Sequence, residues 1–205
     1  MPAYFNTNNA SLFPQAGGVW LTGMGTADLR EHSARYLVIG LINNMPDGAL
    51  EATERQFLSL LDAASGHLQV RLLRYALPGI SRKGDAASRV KMFYSGVEKL
   101  WNTCPDGLIV TGREPLATNL RDEPYWKAFT EVIDWARVHT YSTVWSCLAA
   151  HAAVLYADGI VRRRSRTKHC GVFECARVTE HPLTAGIGSQ IQMPHSRWNG
   201  LSEFA

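Results

Sequence analysis

The chain has 205 residues, of which 46% are hydrophobic and 19% charged, and it carries a formal net charge of +3. This composition fits one compact soluble domain, and the charge is too small to indicate a nucleic-acid-binding protein. The sequence has neither an apolar run long enough to span a membrane nor the charged-then-apolar start of a signal peptide. We therefore expect a cytoplasmic protein without nucleic-acid or membrane partners.

The cysteines are spread through the chain without a CxxC pair, at Cys104, Cys147, Cys170 and Cys175. This spacing favours neither a zinc ribbon nor a disulfide framework, so we expect reduced thiols. We also expect no metal site and no permanently bound cofactor. One basic cluster, residues 162–168, is predicted to be a solvated surface loop, although it could also meet phosphates.

In chain order, residues 1–34 are rich in Asn, Gly and Ala without a hydrophobic period, which predicts an irregular N-terminal arm. A continuous apolar run at Tyr36–Ile42 is typical of a strand covered on both faces, and a loop at residues 43–48 follows it. The spacing of apolar residues then predicts a helix over residues 49–65 and a strand over residues 68–75.

The later patterns continue this alternation. They predict a loop from Pro78 to about Ser88, a helix over 90–101, a glycine-ended strand over 106–112, a helix over 124–138, and strands over 170–178 and 190–198. Parallel strands need crossover helices, so the order predicts a doubly wound, mostly parallel α/β sheet sandwiched by helices in a domain over 35–205. Ligands of such sheets bind beyond the carboxyl ends of the strands.

Residues 140–156 are β-branched and aromatic in their first half and rich in Ala and Leu in their second. They predict a buried strand that turns sharply into a helix with Cys147 at the turn, which is the arrangement of a nucleophile elbow. The first amides of the helix have no internal partner, so they can stabilise a thiolate and hold an oxyanion. The alternative is a buried core cysteine, because free Cys packs like a small hydrophobic side chain.

His151 follows Cys147 by four residues and is therefore expected on the same face of the predicted helix. It could pair with the thiol as a base. A packed or hydrogen-bonded structural histidine is the alternative.

Several short motifs occur in a fixed order between about residues 35 and 198. They are Leu41-Ile42-Asn43-Asn44-Met45-Pro46, Asp106-Gly107-Leu108-Ile109-Val110-Thr111-Gly112, Cys147 with Ala150 and Ala152, Gly171-Val172-Phe173-Glu174, and Met193-Pro194-His195-Ser196-Arg197. In this order they resemble the bacterial homoserine O-acyltransferases of the succinyltransferase type. The fold of that family is similar to that of class I glutamine amidotransferases.

The resemblance implies acyl transfer from succinyl-CoA to the hydroxyl of homoserine, through an acyl-thioester on Cys147, in methionine biosynthesis. The chemistry agrees with the residue type, because a thiolate attacks a thioester and an activated hydroxyl then opens the new thioester. The oxyanion is expected against the Leu148 amide and the amides of residues 112–117. A homodimer is implied by the resemblance alone.

The resemblance also implies the substrate contacts. Lys168 and Ser196, followed by Arg197, fall at the family's substrate-contacting positions; a solvated base and an ordinary turn serine are the alternatives. The family selects acyl length in the loop after Gly112, where a small residue indicates the succinyl form and a carboxylate the acetyl form. Ala117 therefore favours succinyl, although Glu114 could take up the space because the loop is one residue longer than usual.

Two departures from the family pattern keep other hypotheses open. The family's Trp-Gly-Ala-Gln after the cysteine is replaced by Leu148-Ala149-Ala150-His151, and its basic His with a supporting Glu falls further downstream than this chain extends. We therefore expect a chain that is truncated at its C-terminus. The alternatives are a homoserine or serine O-acetyltransferase that uses acetyl-CoA, another cysteine hydrolase or amidotransferase, and a catalytically incomplete homologue that binds a metabolite.

Overall fold

The computed structural model of the chain describes residues 19–21 and 36–201. These residues fall into two compact units, one within Met1–Ala153 and the other within Val154–Ala205. The first unit contains a parallel sheet with helices, and the second contains a two-stranded antiparallel sheet. The domain boundaries expected from the sequence stay a prediction.

Strands and helices alternate in the first unit. Its elements are β1 (Val19–Leu21), β2 (Tyr36–Ile42), α1 (Leu50–Ser65), β3 (Gln69–Ala76), α2 (Gly84–Phe93), β4 (Ser95–Gly96), α3 (Leu100–Thr103), β5 (Gly107–Thr111), α4 (Trp126–His139) and β6 (Ser142–Ser146). Helix α5 (Leu148–Asp158) begins in this unit and continues past its end.

The sheet has the order β1-β3-β2-β5-β6, with β4 paired to β3, and every one of these pairs is parallel. The chain moves outward from β2 to β3 in one direction and from β5 to β6 in the other. Because such crossovers are right-handed, α1 and α4 lie on opposite faces of the sheet. The doubly wound α/β sheet predicted from the sequence is therefore confirmed.

Apolar side chains cover both faces of the central strands. On one face, Leu58 of α1 packs in a cluster with Leu41 and Ile109 of the sheet. On the other face, the ring of Phe129 in α4 lies edge-on to Trp145 of β6, with 5.5 Å between centroids. All residues of β5 are buried, which explains why this strand was recognisable from a continuous apolar run.

The helix predicted over residues 90–101 is wrong. Helix α2 begins earlier, at Gly84, and ends at Phe93; the chain then becomes extended at Tyr94, pairs through β4 with β3, and turns into the short α3. Tyr94 is buried, and its hydroxyl donates to an oxygen of Glu54 at 2.5 Å. This long-range contact holds the chain out of the helix that the local apolar spacing favours.

Strand β1 lies inside the arm that was predicted to be irregular. It pairs in parallel with β3, with Val19 opposite Val70 and Leu21 opposite Leu72. The remainder of the arm, residues 1–18 and 22–34, lies outside the described residues.

The second unit is a hairpin of β7 (Arg163–Ala176) and β8 (Gln190–Gly200), whose strands pair antiparallel. The two predicted strands are present, but β7 begins at Arg163 and so includes most of the basic cluster. The loop predicted for residues 162–168 is therefore wrong. Cross-strand contacts explain the difference, because the Arg164 guanidinium lies 4.7 Å from the centre of the Trp198 ring.

A buried carboxylate joins three elements of the first unit. The side chain of Glu54 in α1 is fully buried and accepts hydrogen bonds from Arg74 (3.2 Å), Arg89 (2.7 and 3.0 Å) and Tyr94. Burial raises the pKa of the Glu54 carboxyl, but the hydrogen bonds from Arg89 and Tyr94 and the two guanidinium charges outweigh it, so the pKa lies below its usual value. Burial lowers the pKa of Arg74.

Substitution Glu54→Gln should keep the size of this side chain but leave Arg74 and Arg89 without their buried counter-charge. We expect a loss of about 3–5 kcal/mol in the free energy of unfolding, measured by urea denaturation at neutral pH. The contribution of a carboxylate with a lowered pKa is complete above its unfolded value of 4.5 and is lost as the pH falls through the folded value. The difference in the free energy of unfolding between wild type and Glu54→Gln should therefore become smaller in acid.

The control is Glu51→Gln, because the Glu51 side chain on the same helix is 45% exposed, pairs with the exposed Arg55, and lies at the longer distance of 3.9 Å from Arg89. An exposed ion pair contributes at most about 1 kcal/mol, so this variant should remain near wild type. Equal losses for the two variants, or a difference for Glu54→Gln that does not become smaller in acid, would contradict the assignment.

Candidate active site

Cys147 lies between the end of β6 and the start of α5, and its side chain is exposed. Its φ of 60° lies in the left-handed region, which residues other than glycine rarely adopt. Its carbonyl accepts the N–H of Ala150 at 3.1 Å at the start of the helix. The predicted strand–turn–helix elbow is present, and the alternative of a buried core cysteine is wrong.

The strand that leads to this cysteine differs from the prediction in one respect. It was expected to be buried, but β6 is the outermost strand of the described sheet, with β5 as its neighbour. Val144 is 51% exposed, whereas Trp145 on the opposite face packs against Phe129. Helix α4 therefore covers one face of this edge strand, while Val144 on the other face is half-exposed among the residues that the structure describes.

The end of β5 lies directly against the start of α5. The N–H of Gly112 donates to the Ser146 carbonyl at 2.9 Å. A Cβ added to Gly112 would lie 2.5 Å from the backbone nitrogen of Leu148 and 2.6 Å from that of Ala149. No side chain fits at this position, so glycine allows the strand end to approach the helix amides beside Cys147.

A carboxylate organises the loop that follows Gly112. One oxygen of Glu123, a residue that is 3% exposed, accepts the N–H groups of Leu116 at 2.6 Å and Ala117 at 2.8 Å. Together with the bond from Gly112 to Ser146, these contacts occupy three of the amides that were expected to hold an oxyanion. Helix α5 begins at Leu148, and the role of the Leu148 amide in holding an oxyanion stays a prediction.

The loop after β2 is fastened to the end of β5. The backbone N–H of Asn44 donates to the Thr111 hydroxyl, and its side-chain Nδ2 donates to the Thr111 carbonyl, both at 2.8 Å. Asn43 is equally buried. Its Nδ2 donates to the Leu50 carbonyl at 2.9 Å and to the Tyr94 hydroxyl at 3.3 Å, and its Oδ1 accepts the Thr111 hydroxyl at 3.4 Å. Both asparagines thus fasten this loop to Thr111, and Asn43 also connects it to Leu50 and Tyr94.

Arg82 closes the same loop from the outside. Its guanidinium donates to the carbonyl oxygens of Asn43, at 2.9 Å, and Met45, and to a carboxylate oxygen of Asp47 at 3.2 Å. Slight burial raises the pKa of Asp47, but the Lys83 N–H and the Arg82 guanidinium outweigh it, so the pKa lies below its usual value. The loop is held in one conformation by these contacts.

The remaining predicted residues of the first unit lie near the elbow in sequence or in the loop after β5. His151 is partly buried in the first turns of α5, Glu114 is exposed and Ala117 is partly buried. The roles of His151 as a base and of Ala117 and Glu114 in donor selection stay predictions.

The three predicted substrate contacts lie in the part of the hairpin away from its turn, some residues before its open end. The pairing shifts between Arg164 and His169, so Lys168 belongs to an irregular stretch of β7. Ser196 lies opposite Cys170, and Arg197 opposite His169. All three predicted side chains are exposed, and their substrate-binding role stays a prediction.

Sequence reasoning did not single out Glu123 or Asn44 as site residues. Glu123 precedes a helix like many surface acids, and what distinguishes it are its hydrogen bonds to two backbone N–H groups of the preceding loop, which follow no periodic pattern. Asn44 stood in a quoted motif, yet its contact with Thr111 depends on the pairing of two strands that are distant in sequence.

A family model and several curated proteins identify the same family. The family described as homoserine O-succinyltransferase matches residues 18–204. The chain is 49% identical over 177 residues to the homoserine O-succinyltransferase of Bradyrhizobium japonicum, covering 86% of this chain and 54% of that protein. It is 48% identical over 173 residues to that of Rhodopseudomonas palustris, covering 84% and 52%. The chain belongs to the homoserine O-succinyltransferase family.

This membership confirms the resemblance seen in the ordered motifs. The chain spans about half the length of these two curated homoserine O-succinyltransferases, with 54% and 52% of their lengths covered. A solved structure of a putative GMP synthase component from Thermoplasma acidophilum has a TM-score of 0.49 and 14% identity, covering 83% of this chain and 69% of that one. A likeness at that level carries no argument about the fold.

Among residues 19–21 and 36–201, no group of three or more His, Cys, Asp or Glu side chains is placed to hold a metal ion. None of the helices in those ranges combines the length and apolar character needed to cross a membrane.

Substitution Gly112→Ala should distort the elbow of this family member, because the new methyl group would meet the backbone of Leu148 and Ala149 rather than a flexible side chain. We expect a loss of about 1–3 kcal/mol in the free energy of unfolding, as for other overpacked sites. Urea denaturation gives the stability, and iodoacetamide labelling with mass spectrometry gives the reactivity of Cys147, which should change as well.

The matched control is Gly48→Ala, since a Cβ at Gly48 meets nothing within 4 Å. That variant should shift the free energy of unfolding by less than about 1 kcal/mol. If Gly112→Ala were as stable and as reactive as Gly48→Ala, the close approach of β5 to α5 would be refuted.

Proposed function

We propose that this chain carries the nucleophile of a homoserine O-succinyltransferase, which transfers a succinyl group from succinyl-CoA to the hydroxyl of homoserine in methionine biosynthesis. The observation that supports this most directly is the exposed Cys147, with its φ of 60° at the strand-to-helix turn, in a chain of this family. The proposal includes a cytoplasmic location and a homodimer, and it requires no permanently bound cofactor.

In the first step, the Cys147 thiolate attacks the carbonyl carbon of succinyl-CoA. A carbon–sulfur bond forms, and the carbonyl oxygen becomes an oxyanion. When this intermediate collapses, the bond to the sulfur of CoA breaks and CoA leaves as a thiolate that takes up a proton. The amides of Leu148 and Ala149 at the start of α5, with the positive end of the helix dipole, support this step because they favour negative charge.

In the second step, the homoserine hydroxyl attacks the acyl-thioester while a base removes its proton. The Cys147 thiolate is the leaving group, so the nucleophile is regenerated. We extend the proposal to His151 as this base. Its support is its place on α5, four residues after Cys147 and in the first turns of the helix.

The hairpin residues are proposed to bind substrate carboxylates. Lys168 and Arg197 supply two cationic side chains and Ser196 a hydroxyl, and both homoserine and the succinyl group carry carboxylates. The strand register supports this grouping, because Ser196 and Arg197 lie opposite Cys170 and His169, the two residues that follow Lys168 in β7.

For the acyl donor, we propose succinyl-CoA rather than acetyl-CoA. The small side chain of Ala117 supports this, because the loop that carries it is fixed by Glu123 while the carboxylate of Glu114 lies exposed. Acetyl-CoA remains the competing donor in the test below.

Incubation with succinyl-CoA should add one succinyl group to the chain, as measured by intact mass, and homoserine should remove it. Cys147→Ser should abolish the adduct because an unactivated hydroxyl is a poor nucleophile. Cys104→Ser is the matched control, since Cys104 is also an exposed free cysteine with a positive φ, and it should keep the adduct.

Three outcomes would overturn parts of this proposal. An adduct on Cys147→Ser would refute the nucleophile. A stable adduct with acetyl-CoA alone would indicate an acetyltransferase. No adduct in a folded wild-type protein would favour a homologue that binds a metabolite without acyl transfer.

Substitution His151→Gln tests the proposed base. We expect the rate at which homoserine releases the acyl group to fall by about a hundred-fold to ten-thousand-fold, which is the usual contribution of general base catalysis. His139→Gln is the control, because His139 is exposed at the end of α4 and contacts its own helix through the Trp135 carbonyl. A wild-type release rate in His151→Gln would assign His151 a structural role.

A further inference from the structure

The peptide between Thr111 and Gly112 is held at both ends. Its carbonyl accepts the Asn44 side-chain Nδ2 at 2.8 Å, and its N–H donates to the Ser146 carbonyl at 2.9 Å. The Thr111 hydroxyl accepts the Asn44 backbone N–H at 2.8 Å as well. Because carbonyl and N–H point in opposite directions across one planar unit, these bonds fix the rotation of that peptide.

This rotation decides where Gly112 lies. The position of a Cβ on Gly112 would be 2.5 Å from the Leu148 nitrogen and 2.6 Å from the Ala149 nitrogen, so a small turn of the peptide changes the space in front of those amides. An oxyanion formed beside Cys147 would need that space. Asn44 therefore touches the boundary of the pocket without touching the reacting atoms.

We propose that Asn44 is a positioning residue, which sets the shape of the oxyanion pocket beside Cys147 through the Thr111–Gly112 peptide. The inference rests on the proposed function only in taking Cys147 as a nucleophile toward carbonyl carbon. It requires neither succinyl-CoA nor homoserine.

The burial of Asn44 supports a role beyond stability. The residue is 1% exposed, and within the part of the chain that the structure describes its Oδ1 atom has no hydrogen-bond partner. A buried acceptor without a partner costs about 1–3 kcal/mol. An apolar side chain would fill the same space without this cost. The asparagine supplies instead the Nδ2 donor that binds the Thr111 carbonyl.

Two reactions of Cys147 distinguish an effect on the oxyanion pocket from a general effect on folding or on access to the thiol. Acylation by p-nitrophenyl acetate passes through a tetrahedral oxyanion, whereas alkylation by iodoacetamide is a direct displacement at carbon and forms none. Both reactions need an accessible thiolate. The ratio of the two rates, each followed at Cys147 by peptide mass spectrometry, therefore reports the oxyanion pocket and cancels changes in thiol access.

In Asn44→Ala, we expect the acylation rate to fall by about tenfold to a hundred-fold, as for small displacements of catalytic geometry, while the alkylation rate stays near wild type. Tyr75→Phe is the control. Tyr75 is 2% exposed, and its hydroxyl, which the variant removes, lies 2.6 Å from the Thr103 hydroxyl of α3, so a buried hydrogen bond is lost while those of Thr111 are kept. Its rate ratio should equal that of wild type.

A second pair of variants covers a failure of Asn44→Ala to fold. Thr111→Val removes the hydroxyl that accepts the Asn44 N–H, and Thr111→Ser keeps it. The inference predicts a lowered acylation-to-alkylation ratio for Val and a wild-type ratio for Ser.

Equal falls in both rates, or a wild-type ratio in folded Asn44→Ala or Thr111→Val, would overturn the inference. Because p-nitrophenyl acetate needs no recognition of CoA or homoserine, a wild-type protein that reacts with this ester but not with succinyl-CoA would refute the proposed function alone.

Discussion

The close approach of Gly112 to the first amides of α5 is the contact on which the rest of the site depends. It brings the carboxyl end of β5 to the turn that carries Cys147, and it is possible only without a side chain at residue 112. The parallel pairing of β5 with β6, which places Thr111 opposite Ser146, delivers the two chain segments to this point. The sheet register and one glycine thus determine what surrounds the sulfur.

A second layer of buried polar contacts keeps these strand ends in place. Asn44 holds the end of β5, Asn43 connects the same loop to α1 and to Tyr94, and Tyr94 donates in turn to Glu54. Inside a protein such a chain is stabilising only when its members are paired, since an unpaired buried polar group is costly. The network therefore couples the stability of the unit to the geometry near Cys147.

Features with a local signal were predictable from the sequence. Strand β2 was recognised from its continuous apolar run, and the elbow from the change of composition around Cys147, and both lie where they were expected. The helix over residues 90–101 was wrong because Tyr94 is fixed by a residue forty positions away. Asn44 was missed for the same reason, since a long-range hydrogen bond leaves no periodic trace in a sequence. Glu123 was missed because its bonds to backbone N–H groups six and seven residues earlier depend on the conformation of an irregular loop.

The backbone conformation at Cys147 lowers the stability of the fold at the residue that is proposed to react. A non-glycine residue held in the left-handed region costs about 1–3 kcal/mol, and the surrounding contacts must absorb that strain. Glycine at this position would relieve it, so the chemically inert Cys147→Gly protein would be the harder one to unfold. A reactive residue at this turn therefore lowers the free energy of unfolding, and the most stable form of the fold would be one without the nucleophile.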